Sequence, residues 1–221
     1  MTATVPPRAV LWDIDGTLAL SEPFHLRVLQ AIAREYGIEL PDEFHEEMVG
    51  RTAEESFVLV CERYGLKEDF GRWIERKYRR YVEVAPEIPS RPGAVEAFRR
   101  LRAAGIQQAL VSNSDRIVVE ANIRALGLLV PRLVTVTVND VRLGKPDPEP
   151  YLRAAHLLGV EPAACVVVED SPTGARSGVA AGMRVLAWPE NPAFVFPEAA
   201  QLVPHEGDIG AALAGLGLPA A

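Results

Sequence analysis

Cysteine is scarce: only Cys61 and Cys165 occur in 221 residues. Two thiols cannot build a disulfide framework, so the core must hold itself together, and both are expected to be reduced and structural. A reducing compartment, most simply the cytoplasm, is the expected location. Lysine is rarer than its charge partner suggests, with Lys67, Lys77 and Lys145 the only three among 23 basic residues. The net charge of −7 provides no basic face for nucleic acid. Long apolar runs are also missing. No stretch of about 18 residues is free enough of charge to cross a bilayer, and residues 1–7 have neither the basic start nor the apolar middle of a leader peptide. A partner nucleic acid or membrane is therefore not expected, and an anionic ligand would have to be captured locally.

What is present is 48% apolar residues, enough for a sizeable core with room for a smaller inserted unit. Ala9-Val10-Leu11-Trp12 is a continuous apolar run, the mark of a parallel strand covered on both faces, and it stops at Asp13-Ile14-Asp15-Gly16-Thr17. A second run, residues 106–111, ends in Ser112-Asn113-Ser114-Asp115, and a third, residues 165–168, ends in Glu169-Asp170-Ser171-Pro172-Thr173-Gly174. Ligands of open α/β sheets collect at the carboxyl ends of strands. If the three strands are neighbours, Asp13, Asp15, Ser112, Glu169 and Asp170 converge on one crevice. Two adjacent acids at the end of a buried strand are costly unless something positive sits beside them. Lys145, in the proline-rich loop Leu143-Gly144-Lys145-Pro146-Asp147-Pro148, is one candidate for that charge.

The order of elements predicts the architecture. Residues 18–85 read as helices only, over 23–36, 42–49, 52–64 and 70–82. The last carries Phe70, Trp73, Ile74, Lys77, Tyr78, Tyr81 and Val82 on one stripe with arginines opposite, which favours a bundle core for Trp73, Tyr78 and Tyr81. Three prolines in residues 86–92 then interrupt the pattern. Beyond them, helix and strand alternate: helices over 93–104, 115–126, 149–158 and 173–181, strands over 106–111, 133–138, 165–168 and 183–187. From residue 189 the pattern is loose, with one helix expected from Asp208. The predicted fold is α/β, a doubly wound parallel-sheet (Rossmann-like) core with an inserted all-helical unit. The core would be residues 1–17 and 88–221, and the insertion residues 18–87.

The four segments, in this order, resemble the haloacid dehalogenase superfamily over residues 10–188. Its signature is an Asp-x-Asp strand end, a Ser/Thr strand end, a loop lysine and an acidic strand end. Gly-Lys-Pro-Asp-Pro and the later Glu-Asp-Ser-Pro-Thr-Gly are most similar to its β-phosphoglucomutase-like and small-molecule phosphatase branch. The resemblance implies that the helical insertion is a cap over the active site. It implies that Asp13 attacks phosphorus to give an aspartyl-phosphate, and that Asp15 protonates the departing alcohol and later deprotonates water. Asp15 can be that acid only with its pKa held above that of Asp13. A Mg²⁺ ion would be held by the Asp13 carboxylate, the Asp15 main-chain carbonyl and Asp170, with Glu169 a ligand or just behind. Lys145 would lie between phosphate and Asp13, while the Ser112 hydroxyl and the amides of Asn113 and Asp15 cradle the phosphate oxygens.

For the cap, His25, Arg51, Thr52 and Lys77 are the candidates to read the substrate. Gly50-Arg51-Thr52 joins two helices, so Arg51 either reaches the crevice or is a surface arginine; His25 is either a hinge histidine, as in the mutases of the family, or one more residue on a helix face. The expected enzyme is a Mg²⁺-dependent phosphatase for a small phosphorylated metabolite such as a sugar phosphate, monomeric or dimeric. The alternatives are a β-phosphoglucomutase-like mutase and a non-catalytic phosphate-binding module. The mutases carry Arg three residues after a cap Gly, where Ala53 stands here. Dehalogenation gives Asp15 no task, and the Schiff-base phosphonate hydrolases need an early cap lysine that residues 18–66 lack.

Overall fold

The computed structural model describes residues 5–48 and 51–219. Strands β1 (Ala9–Trp12), β2 (Gln107–Val111), β3 (Val134–Val136), β4 (Cys165–Glu169), β5 (Arg184–Ala187) and β6 (Gln201–Leu202) form one sheet. Their order is β3-β2-β1-β4-β5-β6, and every pairing is parallel. Parallel neighbours need a crossover, and helices supply it. Between β1 and β2 lie α1 (Glu22–Glu35), α2 (Phe44–Met48), α3 (Ala53–Tyr64), α4 (Phe70–Val84) and α5 (Ala94–Ala103); beyond β2 come α6 (Arg116–Ala125), α7 (Glu149–Leu158), α8 (Pro172–Ala180) and α9 (Ile209–Gly215).

Side chains alternate across the sheet, as strand geometry requires. Val10, Trp12, Leu110, Val166 and Val168 pack with α5, α6 and α9 on one face, whereas Ala9, Leu11, Ala109, Val111 and Val167 pack with α7 and α8 on the other. Trp12 is fully buried, and its indole N–H donates to Gln108 Oε1 at 2.9 Å, which leaves no orphaned donor at the sheet centre. The predicted doubly wound parallel sheet is borne out.

The helices follow the apolar stripes. In α4, Trp73, Lys77 and Tyr81 face inward, and Asp69 caps the helix by accepting from the Arg72 amide, a contact worth about 1 kcal/mol. Tyr78, expected in the bundle core, packs partly buried against it and also lines a cleft, where it donates to Asp115. Gly50 and the expected helix end at Val49 lie outside the described residues. The proline-rich stretch opens with a 3-10 turn at Ala85–Glu87, and Leu20 N donates to Pro89 O at 3.0 Å where the two connections run side by side. Strand β6 was not expected. Its two residues are exposed, so no apolar run marks it.

Candidate active site

Register brings β1, β2 and β4 to the same edge: Trp12 pairs with Leu110 on one side and Val168 on the other. The residues at the strand ends, Asp13 after β1, Ser112 after β2, and Glu169 and Asp170 at the end of β4, therefore meet. Asp13 extends β1 by one more bond, its amide donating to Val168 O at 3.0 Å. Gly16 turns the chain at φ +80°, and a Cβ there would stand 2.2 Å from Asp170 Oδ2, so only glycine fits. Thr17, fully buried, donates to Asp170 Oδ1 at 3.2 Å. The cleft above holds about 830 Å³ of empty space, open mouth included, between these loops and α1, α3 and α4.

Lys145 lies under the cleft. Its ammonium donates to Asp13 Oδ1 at 2.6 Å, Glu169 Oε1 at 2.6 Å and Val111 O at 2.8 Å. Its loop is pinned to β2 by Asn113, which accepts from the Lys145 amide at 2.8 Å and donates to its carbonyl at 3.0 Å. Glu169 is fully committed: Tyr151 donates to the same oxygen at 2.8 Å, and the Ser171 hydroxyl to the other at 3.0 Å. Asp13 Oδ2 is different, being buried with no hydrogen-bond partner among the described residues. Among the described residues, Asp13, Glu169 and Asp170 form a group of buried acids whose oxygens lie within 4.8 Å of one another. An orphaned carboxylate oxygen amid hard oxygen donors fits a divalent cation.

This arrangement has relatives. A family model described as haloacid dehalogenase-like hydrolase matches residues 7–182. The chain belongs to that family. Hexitol phosphatase A of Escherichia coli strain K12 is 36% identical over 185 residues, covering 81% of this chain and 82% of its own length. A phosphorylated carbohydrates phosphatase of Thermotoga maritima is 29% identical over 176 residues, with 79% and 82% covered. The crystal structure of CbbY from Rhodobacter sphaeroides in complex with phosphate superposes with a TM-score of 0.83 at 27% identity, covering 96% of this chain and all of that one. Family and relatives together make this haloacid dehalogenase-like hydrolase a phosphoric monoester hydrolase.

Its two signature aspartates differ in surroundings. Burial first, and then Glu169 and Asp15 nearby, push Asp13 up to about 8 although Lys145 pulls the other way. Burial acts on Asp15 too, but is outweighed by His25 and the Ser21 and Ser114 hydroxyls, which hold it well below the usual carboxylate range. The order required of an acid at Asp15, Asp15 above Asp13, is therefore reversed. Hydrogen bonding is the reason. Asp15 Oδ1 takes Ser21 Oγ at 2.6 Å and Asn122 Nδ2 at 2.9 Å, with His25 Nε2 at 3.3 Å, while Oδ2 takes Ser114 Oγ at 2.9 Å and Ser112 Oγ at 3.2 Å. Asp170 is raised well above its ordinary value by burial and then by Asp13 and Glu169.

Most of the expected residues converge, but in altered partnerships. Ser112 turns its hydroxyl toward Asp15 and accepts from the Ser114 amide. His25 reaches Asp15 and stacks on Tyr81, ring centres 4.4 Å apart. Arg51 lines the cleft mouth, its Nε donating to Glu47 O. Thr52 caps α3 in a reciprocal bond with Glu55, so its hydroxyl is used locally. Lys77 lines the cleft with its pKa lowered by burial against the pull of Asp115 and Glu22. Sequence reasoning overlooked Ser21, Ser114, Asn122, Tyr151 and Arg91. Ser114 was within reach, two residues from Ser112; Asn122 and Tyr151 sit on helix faces where nothing in the sequence distinguishes them.

Proposed function

We propose that the chain is a Mg²⁺-dependent phosphatase for a small phosphorylated metabolite of the sugar-phosphate kind, working through an aspartyl-phosphate on Asp13. The observation that carries this reading is the Asp13 carboxylate itself, with one oxygen fixed by Lys145 and the other buried and unpartnered at the cleft floor. A carboxylate so held is pre-aimed for attack, and an orphaned oxygen beside a raised pKa marks charge awaiting compensation. The hexitol and carbohydrate phosphatase relatives support the substrate class.

Asp13, Asp170 and the Asp15 main-chain carbonyl would hold the cation, with Glu169 behind them keeping Lys145 in place. A bound Mg²⁺ supplies the positive charge that offsets the phosphate and the clustered carboxylates. Lys145 neutralises part of the charge on Asp13 and orients it. Asp15 would give its proton to the leaving alcohol and afterwards take one from water. While charged and caged as described it carries no proton, so before the first role it must take one up, which needs its donors Ser21, just before α1, and His25, on α1, to let go when the insertion shifts. The helical insertion, residues 18–87, would act as the cap whose closure excludes water.

A mutase needs a cap cation for a second phosphate; the position of the mutases' arginine is Ala53, which lines the cleft together with Arg51 and Lys77. The readings separate on a panel of phosphomonoesters assayed for phosphate release with and without Mg²⁺. Release that requires Mg²⁺ supports the phosphatase; interconversion of sugar 1- and 6-phosphates supports the mutase; no turnover supports a binding module. Asp13→Asn should abolish turnover with the fold intact, and retained activity would falsify the nucleophile assignment.

A further inference from the structure

Arg91 is buried, 3% exposed, and its guanidinium makes no hydrogen bond to a carboxylate among the described residues. It donates instead to four main-chain carbonyls: Gly16 at 2.9 Å, Trp188 at 2.8 Å, Pro189 at 2.8 Å and His205 at 3.2 Å. Its face lies 3.7 Å from the centre of the Trp188 ring. Its own amide donates to Leu18 O at 2.9 Å. Burying a guanidinium is costly, and burial lowers the Arg91 pKa; the charges that oppose this are Asp170 and Glu190. The residue sits at the end of the second connection to the helical insertion, yet its bonds lead to the turn that follows Asp15.

That turn is held from two sides. Behind it, Arg91 takes the Gly16 carbonyl and the Leu18 carbonyl. In front, Gly16 lies so close to Asp170 that no side chain fits between them, and Thr17 donates to Asp170 Oδ1. Displacing Gly16–Leu18 by a few tenths of an ångström would move the Thr17 hydroxyl and the Asp15 carbonyl together. We propose that Arg91 is a positioning residue for the cation site: it clamps the Gly16–Leu18 turn, and through that turn and its own charge it sets the orientation of Asp170. The inference rests on the reading above that Asp13 and Asp170 share a divalent cation. Partners that orient metal ligands from behind typically affect affinity roughly 10–100-fold.

The test is direct cation binding, by calorimetry with Mg²⁺ and by the spin resonance of Mn²⁺, on the full chain and on Arg91→Gln and Arg91→Lys, with folding checked by circular dichroism. Wild type is expected to bind one cation. Arg91→Gln should bind it roughly 10–100-fold more weakly with every ligand still present. Arg91→Lys, which keeps the charge but not the planar fork, should recover only part of the loss. A purely structural arginine would lower the melting temperature of the variants and leave cation affinity unchanged, which would overturn the proposal. Should both variants fail to fold, Trp188→Leu removes the ring on which Arg91 rests and nothing at the cation site; unaltered affinity there overturns it equally. Failure of wild type to bind any cation sinks the functional reading instead, so the two failures are distinguishable.

Discussion

Lys145 carries the charge balance of the cleft floor. Two carboxylates, Asp13 and Glu169, each approach its ammonium at 2.6 Å, and they hold it protonated well above an ordinary amine despite burial. Lys145→Met would leave both acids buried and unpaired, which costs about 3–5 kcal/mol. The loss should depend on pH. With Asp13 already raised to about 8, removing the lysine raises that carboxyl further, so above about pH 8 the native variant keeps a proton that native wild type has released. Stability of the variant then keeps falling as pH rises above about 8 while that of wild type levels off, so its deficit against wild type should be smaller at about pH 6 than at about pH 9. Urea unfolding at the two pH values measures this; an equal deficit would rule out the ion cluster as the cause. Lys145 was legible in the sequence because lysine is so rare here and because its loop is fixed by prolines. Tyr151, which completes the same cluster, was not: a tyrosine on the buried stripe of a helix looks like packing until its hydroxyl is placed against Glu169.

Elements were readable to the extent that burial patterned them. Strands β1, β2, β4 and β5 are apolar because both faces are covered, and the polar residues at their ends marked the site. What could not be read was which helix would supply donors to Asp15, since Ser21 and Asn122 reach it from α1 and α6, far apart in the chain. The end of β3 shows a similar dependence on contacts between elements. Asp140 closes the 3-10 turn Val138–Asp140 by accepting from Thr137 N at 2.8 Å and Thr137 Oγ1 at 2.9 Å, and it pairs with Arg116 in the first turn of α6. Burial works against its charge, but the Thr137 donors and Arg116 outweigh it and lower the pKa. A depressed carboxyl contributes stability above its unfolded pKa near 4 and loses it as pH falls through the folded value. Asp140→Asn should therefore cost about 1 kcal/mol at pH 7, the worth of a cap. Thermal melts should show the gap to wild type closing as pH drops below about 4; a gap that persists there would mean that the charge is not what matters.

At the scale of the whole molecule, the insertion is unevenly attached to the sheet. Helix α4 is tied to α6 twice, by Tyr78 to Asp115 and by Tyr81 to Asn122 at 2.8 Å. Helix α3 meets its neighbours through ring contacts of Phe57 with Phe70 and Trp73 and of Tyr64 with Phe44, and through an exposed Arg63–Glu47 ion pair. Rings slide more readily than buried hydrogen bonds break. A second, more open groove runs between Glu47, Arg51 and Glu55 on one side and the Lys145 loop with Thr173 on the other. Closure over a substrate should accordingly bring α3 toward the core while α4 stays with the sheet. Spin labels at the exposed positions Glu62 on α3, Glu83 on α4 and Glu96 on α5, in a background lacking Cys61 and Cys165, report the two distances. Addition of Mg²⁺ and orthovanadate should shorten Glu62 to Glu96 and leave Glu83 to Glu96 unchanged. Equal shortening of both would mean that the four helices swing as one body. No change in either would mean that the cleft works without a lid, and that the donors around Asp15 must loosen by side-chain motion alone.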